Sequence, residues 1–149
     1  MLYIQFVIDN DRYLLPTDKV VTIMPTVQMQ PVSGMQAYFP GCVNFRGETV
    51  PVIDVVQLFK GRAARQRLST RIIVITMNTK AHQQNKVGLL VEKVIELIKL
   101  EDGDFSGLTA DMQKISGLDA AAEDEYGVLY RVRSDKLLPR HELGDLLCG

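Results

Sequence analysis

Residues 40–55 read PGCVNFRGETVPVIDV and decide the fold that we predict for this chain. The Pro-Gly pair marks a turn, and two short β-favouring runs, residues 42–45 and 49–53, flank Gly47. Glycine adopts the positive φ of a tight turn without a Cβ penalty, so the segment predicts a β-hairpin. Pro51 has no N–H to donate to a neighbouring strand, so we expect it on an edge strand or at a bulge.

Polar and apolar side chains alternate at the predicted turn. Asn44 and Arg46 are interleaved with Val43 and Phe45. A long cation at a strand end, next to apolar surface, suits docking against another protein. The alternative is that Arg46 is a solvated turn residue and that Asn44 bonds the local backbone, and the residues alone leave both interpretations open.

A short helix is predicted directly after the hairpin. Asp54 suits the N-cap, Gln57 three residues later can complete a capping box, and Gly61 favours the end of the helix. The following loop carries four arginines: Arg62, Arg65, Arg67 and Arg71. This loop is either a patch for an acidic partner or an ordinary solvated loop. It has no interleaved aromatic residues, which argues against binding of single-stranded nucleic acid.

The sequence pattern of most of the remaining chain predicts short strands separated by turns. We expect strands at residues 2–8, 13–15, 20–24, 71–77, 86–92, 94–100 and 126–132. Gly88 predicts a bulge or a close backbone approach inside its strand. Further on we expect a short helix or strand at 112–118, a mobile acidic loop at 119–125 and a terminal helix at 141–147. Short strands with closely spaced turns predict a mainly β fold, either small barrels or a sandwich.

The length and the net charge of the chain limit the classes of protein to which it could belong. With 149 residues, the chain is long enough for one domain or for two very small ones with a shared core. A net charge of −1 provides no global attraction to nucleic acid or anionic lipid. No apolar run approaches the roughly 20 residues of a membrane span, and no export signal precedes the first strand, so we expect a cytoplasmic protein without membrane insertion. In that reducing compartment Cys42 and Cys148 are expected to be free thiols.

Recognisable motifs for catalysis or metal binding are missing. The two histidines, His82 and His141, have no partner ligands at the spacing of a zinc site. Glycine-rich nucleotide-binding loops and the G-x-S-x-G pattern are also absent. The sequence therefore predicts no enzyme, no metal and no cofactor. A small barrel that binds an oligonucleotide or a small ligand is the alternative class of function.

Several segments, in matching order, resemble the CheW-like adaptor domains of bacterial chemosensory systems. They are YLLP (13–16), the run from Gly41 through NFRG (44–47) to VPVID (50–54), TRIIV (70–74) and VGLLV (87–91). NFRG matches the N-L-R-G signature of that family, with Phe in place of Leu. The resemblance covers nearly the whole chain and is weakest in the C-terminal third.

The resemblance implies one CheW-like domain over residues 1–149, built from two SH3-like five-stranded barrels with one or two short helices. It implies a non-enzymatic scaffold adaptor that links the cytoplasmic hairpin of methyl-accepting chemoreceptors to the regulatory domain of a CheA-type histidine kinase. The implied partner-binding residues are Thr22, Val43, Asn44, Phe45, Arg46, Gly47, Val87 and Leu89, with Arg46 near a groove between the subdomains.

One position departs from the family pattern. In many members a glutamate pairs with the arginine that corresponds to Arg46, whereas Thr22 stands at that place here. We therefore expect the ion pair to be missing. This departure fits a non-flagellar pathway, such as twitching motility or second-messenger control, as well as flagellar chemotaxis.

Overall fold

Two five-stranded sheets and one α-helix make up most of the computed structural model, which describes residues 1–29, 33–77 and 85–138. The strands are β1 (Leu2–Ile8), β2 (Asp11–Pro16), β3 (Val20–Pro25), β4 (Gly41–Phe45), β5 (Glu48–Asp54), β6 (Arg71–Met77), β7 (Asn85–Val91), β8 (Lys93–Lys99), β9 (Leu118–Asp124) and β10 (Gly127–Val132). The helix, α1 (Val55–Lys60), follows β5, and short 3-10 turns cover Thr17–Lys19, Asp102–Asp104, Met112–Lys114 and Ser134–Lys136. The predicted mainly β fold with two five-stranded units is confirmed.

The chain begins one sheet, leaves it to build the other, and then returns. Sheet 1 has the strand order β8-β1-β2-β10-β9, and sheet 2 has the order β3-β6-β7-β5-β4. The pairs β2–β10 and β5–β7 are parallel, and the other neighbouring strands are antiparallel. Both sheets therefore depend on contacts between strands that are distant in sequence.

Buried apolar side chains from both sheets form one continuous core. Ile4 and Phe6 of β1 belong to the same buried cluster as Ile73 of β6. Tyr13 of β2 stacks on Phe6, with ring centroids 5.2 Å apart, and lies 5.0 Å from the ring of Phe59 in α1. The core therefore packs the helix and both sheets against one another.

Local hydrogen bonds explain where α1 begins and ends. The Asp54 carboxylate accepts the Gln57 N–H at 3.1 Å and the Ala64 N–H at 2.9 Å, so it caps the helix and anchors the following loop. Burial raises the pKa of Asp54, against the opposing effect of these backbone donors. Gly61 has a φ of 72° and donates its N–H to the Gln57 carbonyl. The predicted cap and the predicted end of the helix are confirmed.

Two residues in sheet 2 were expected to disturb the strands. A Cβ on Gly88 would lie 2.7 Å from Ile72 Cγ2 and 3.2 Å from Val52 Cγ2. The side chains of Ile72 and Val52 therefore approach the Gly88 backbone closely, and β7 pairs with β6 there without a bulge. The expectation for Pro51 is wrong, because β5 lies between β7 and β4 and pairs with β4 without a register shift. The parallel ladder with β7 begins at Val52, so the missing N–H of Pro51 falls outside it.

The mobile acidic loop expected at 119–125 is also wrong, because most of that segment forms β9. Ala120 and Ala122 are buried, and the strand pairs along its length with β10. Alanine has a low intrinsic strand propensity, so this strand depends on its partner and on burial. The element expected at 112–118 is reduced to the 3-10 turn at Met112–Lys114.

Cys42 is disulfide-bonded, so the expected free thiol is wrong at this position. Three further expectations, for His82, Cys148 and the helix at 141–147, concern residues outside the described ranges.

Candidate partner-binding site

The turn between β4 and β5 presents Arg46 at the end of an exposed hairpin. Arg46 has a φ of 52° and Gly47 a φ of 82°, and two consecutive positive values are what the common two-residue hairpin turn requires. The Asn44 side chain accepts the Gly47 N–H at 3.2 Å and so stabilises the turn. We call residues 44–47 the hairpin tip.

The Arg46 side chain is exposed and lies over an aromatic ring. Its guanidinium carbon lies 5.0 Å from the centroid of the Phe45 ring, which is a cation–π distance. Within the described part of the chain, no carboxylate lies within 4.0 Å of this guanidinium. Arg46 and Asn44 are exposed, and Phe45 is half-buried against the core. The hairpin tip thus offers a cation whose position is held by an aromatic ring.

The other implied binding residues lie in different environments. Val43, Val87 and Leu89 are buried in the core, so they could affect a partner only through the backbone that they position. Thr22 is half-buried on β3 and pairs with Val74 of β6. Thr22 lies on β3, and Arg46 directly follows β4. These are the two outer strands of sheet 2, so strand pairing does not bring Thr22 next to Arg46.

Sequence reasoning missed two apolar residues next to Thr22. Val21 and Ile23 on β3 are each 39% exposed. Because β3 is an outer strand, its pairing in the described structure is with β6 alone, and an exposed apolar edge can accept another chain. The short apolar run at residues 20–24 indicated a strand but could not show that the strand lies at the margin of its sheet.

The arginine-rich loop is partly an internal structure. The Arg62 guanidinium donates to both oxygens of Glu92 at 2.9 Å and to Asp9 at 2.7 Å. This guanidinium lowers the pKa of the Glu92 carboxyl to about 2. Arg71 donates to the carbonyls of Leu68 and Thr70. Two of the four arginines of this loop therefore mainly hold the fold together.

A cleft of about 360 Å³ opens where the two sheets meet, lined among others by Leu15, Val132 and Ile75. Its charged lining residues have mixed signs: Asp18, Lys19, Asp102, Arg131, Arg133 and Asp135. Arg46 is not among the residues that line this cleft. Among the described residues, no group of three or more His, Cys, Asp or Glu side chains is arranged to hold a metal ion. A search of the described helices for one with the length and apolarity of a membrane span finds none.

Comparison with known proteins provides the context for this geometry. A family model described as a CheW-like domain matches residues 2–140. The chain is similar to the Chemotaxis protein CheW of several bacteria. It is 25% identical to that of Bacillus subtilis, over 74% of this chain and 68% of that protein. It is 25% identical to that of Klebsiella aerogenes, over 95% of this chain and 83% of that protein.

The third relative, from Helicobacter pylori, is 24% identical over 69% of this chain, and the match spans only 59% of that protein's length. Among solved structures, the chain resembles the scaffolding protein TtCheW from Thermoanaerobacter tengcongensis. The TM-score is 0.78 at 19% identity, and the superposition covers 93% of this chain and 87% of that one. At this identity the structural likeness shows a common fold.

Proposed function

This chain belongs to the CheW-like domain family, and we propose that it is a scaffold adaptor that couples chemoreceptors to a CheA-type histidine kinase. Proteins of this family are non-enzymatic scaffold adaptors in chemotaxis signalling. The match over residues 2–140 supports this role along nearly the whole chain. The two partners named here are part of the proposal.

The conformation of Arg46 is the observation that supports a binding role for the hairpin tip. A left-handed conformation costs a residue with a Cβ about 1–2 kcal/mol, and asparagine or glycine would occupy this position at lower cost. Residues held in such conformations concentrate at binding and catalytic sites. The hairpin turn requires the positive φ, so folding explains the conformation but not the choice of arginine for it. Because Arg46 forms no ion pair in the described structure, an external partner explains that choice better than folding does.

We assign the chemoreceptor hairpin to the hairpin tip. The tip supplies a cation beside a half-buried aromatic ring. Docking at such a surface combines apolar burial with charge recognition, and signalling contacts of this kind bury roughly 1,000–1,600 Å² in total.

Titration calorimetry with a purified receptor hairpin fragment tests this assignment. We expect Arg46→Glu to weaken binding at least about tenfold, because a like charge would replace the complementary one. Arg46→Lys should retain part of the affinity. Lys93→Glu is the matched control, since Lys93 is an exposed cation on β8 of the other sheet. Full affinity in a folded Arg46→Glu variant would show that the hairpin tip does not bind the receptor.

The pathway and the location are further parts of the proposal. Thr22 in place of the family's glutamate is compatible with flagellar chemotaxis and with an alternative chemosensory pathway, and complementation of adaptor-deficient strains for swimming and for twitching would distinguish them. We propose that residues 1–149 act as one domain in the cytoplasm, without a cofactor and without nucleic acid. A disulfide at Cys42 is uncommon in a reducing compartment, and thiol alkylation in freshly lysed cells measures whether it forms there.

A further inference from the structure

The loop between α1 and β6 exposes one apolar side chain completely. Leu68 is 99% exposed, more than any other large apolar residue of the described chain. Single exposed leucines are common and need no explanation by themselves. The backbone of the loop that carries Leu68 is held in place by several hydrogen bonds.

Hydrogen bonds close the turn that has Leu68 near its apex. The Arg67 N–H donates to Thr70 Oγ1 at 2.9 Å, and the Thr70 N–H donates back to the Arg67 carbonyl at 3.1 Å. Thr70 Oγ1 in turn donates to the Arg65 carbonyl at 2.6 Å, and Thr70 is fully buried. The Arg71 guanidinium donates to the Leu68 carbonyl at 2.5 Å. The turn is therefore stabilised by hydrogen bonds among its own residues and their close neighbours in the sequence.

The same loop is anchored to the end of β7. The Arg65 N–H donates to the Glu92 carboxylate at 2.8 Å, and the Ser69 hydroxyl donates to the Glu92 carbonyl at 3.0 Å. A binding partner would therefore meet Leu68 on a backbone that is already ordered. Preorganisation of this kind lowers the entropy cost of binding.

The electrostatic environment of Leu68 is positive. Residues 61–71 contain four arginines and no acidic residue, and the carboxylates that pair with these arginines in the described structure are Asp9 and Glu92. Asp54 also accepts the Ala64 N–H of this loop, so four positive charges meet three negative ones and the net charge among these described residues is +1. Arg67 is exposed, and its guanidinium has no carboxylate within 4.0 Å among the described residues. The complementary surface would carry carboxylates.

Strand pairing places this loop and the hairpin tip at opposite ends of sheet 2. At one end of the sheet, Lys86 is the second residue of β7. Its ammonium nitrogen lies 3.0 Å from a carboxylate oxygen of Glu48, the residue directly after the hairpin tip. At the other end, Arg71 pairs with Val91, the last residue of β7. Seven residues of strand span about 20 Å. Partners at the two ends could therefore bind at the same time, as a bridging adaptor requires.

We infer that Leu68 and Arg67 form a second docking surface, the Leu68 knob, for a protein surface that has an apolar socket bordered by carboxylates. The inference rests on the proposed function. With the hairpin tip assigned to the receptor, the occupant of the Leu68 knob is the regulatory domain of the kinase.

Calorimetric titrations with two purified probes test the inference: the regulatory domain of the CheA-type kinase and the receptor hairpin fragment, both from the same organism. We expect Leu68→Asp to weaken binding of the kinase domain about tenfold to a hundredfold, the effect of losing one buried leucine side chain. Leu68→Met, which keeps an apolar side chain of similar size, is the matched control. Binding of the receptor fragment should be unchanged in both variants.

A second pair of variants tests the charge. Arg67→Glu should weaken binding of the kinase domain and make it less sensitive to salt, because an attractive interaction that salt screens would be lost. Arg67→Lys should retain the salt dependence. The Leu68 side chain is fully exposed, so the Leu68 variants should unfold at the wild-type temperature, and that measurement excludes misfolding as the cause of lost binding.

The possible outcomes separate this inference from the proposed function. If Leu68→Asp binds the kinase domain with wild-type affinity while Arg46→Glu loses receptor binding, the inference is overturned and the proposed function stays intact. Weaker binding of the receptor fragment by Leu68→Asp would overturn the assigned occupant. A wild-type protein that binds neither probe would overturn both proposals.

Discussion

The Arg62 guanidinium holds the Glu92 carboxylate with two hydrogen bonds of 2.9 Å each. Glu92 follows the last residue of β7 in sheet 2 and is buried, and the same guanidinium reaches Asp9 in the β1–β2 turn of sheet 1 at 2.7 Å. One side chain therefore connects the two sheets. It does so at the base of the loop that carries Leu68.

We predict that Arg62→Met destabilises the protein more than the loss of a surface ion pair does, because it leaves the buried Glu92 carboxylate with the Arg65 N–H as its remaining donor among the described residues. Urea unfolding measures the change. The control is Arg133→Met, which removes a more exposed guanidinium 3.4 Å from Asp119 and should cost less than about 1 kcal/mol. Equal stability of the two variants would show that the Arg62–Glu92 pair does not stabilise the fold.

The same pair predicts a pH dependence of stability. The pKa of Glu92 is lowered from its ordinary value of 4.5 to about 2, chiefly by its hydrogen bonds with Arg62. The Glu92 carboxyl binds its proton less tightly in the folded state than in the unfolded state. The stabilisation that ionised Glu92 gives the folded state is therefore complete above pH 4.5 and is lost as the pH falls towards 2.

Thermal unfolding of wild type and Glu92→Gln from pH 6 to pH 2 checks this dependence. The wild type should be the more stable protein at pH 6, and the difference should shrink below pH 4.5. Asp124, whose pKa the Arg12 guanidinium also lowers to about 2, titrates over the same interval in both proteins and cancels in the comparison. A difference that stays constant with pH would contradict the assigned pair.

The left-handed conformation of Arg46 predicts a conflict between stability and binding. Arg46→Asn creates an Asn-Gly turn, the preferred sequence for this hairpin geometry, and should stabilise the fold by about 0.5–1 kcal/mol. The same change removes the cation and should weaken binding of the receptor fragment. Chemical unfolding and calorimetry on one preparation measure both effects. A variant that is less stable than the wild type would refute the argument from conformational cost.

Close packing at Gly88 makes a further stability prediction. Gly88→Ala would place a Cβ 2.7 Å from Ile72 Cγ2 in the middle of sheet 2, so we expect a loss of about 1–3 kcal/mol from overpacking. Gly107→Ala is the control, since a Cβ there meets no atom within 4 Å, and it should be neutral or slightly stabilising. A wild-type unfolding midpoint for Gly88→Ala would mean that sheet 2 can relax around the added methyl group.

The comparison of prediction with structure shows which features depend on neighbouring residues alone. The cap at Asp54, the end of α1 at Gly61 and the turn at Gly47 follow from hydrogen bonds and φ preferences within a few residues, and all three were predictable. The strand β9 was not, because its alanines and acidic residues favour a strand only when β10 lies beside it. The same limit applies to the arginine-rich loop, since nothing in residues 61–71 shows that Arg62 would meet Glu92.

The amino-acid sequence by itself determined the run of short strands and turns, the single short helix of the described chain and the family to which the chain belongs. The reason is that side-chain alternation, turn residues and caps act over distances of a few residues. Tertiary structure alone decided which side chains of those elements are available to partners. It buried Val87 and Leu89, exposed Ile23 and Leu68, and placed no carboxylate of the described residues within 4.0 Å of Arg46, because burial and ion pairing depend on strands that lie far apart in the sequence.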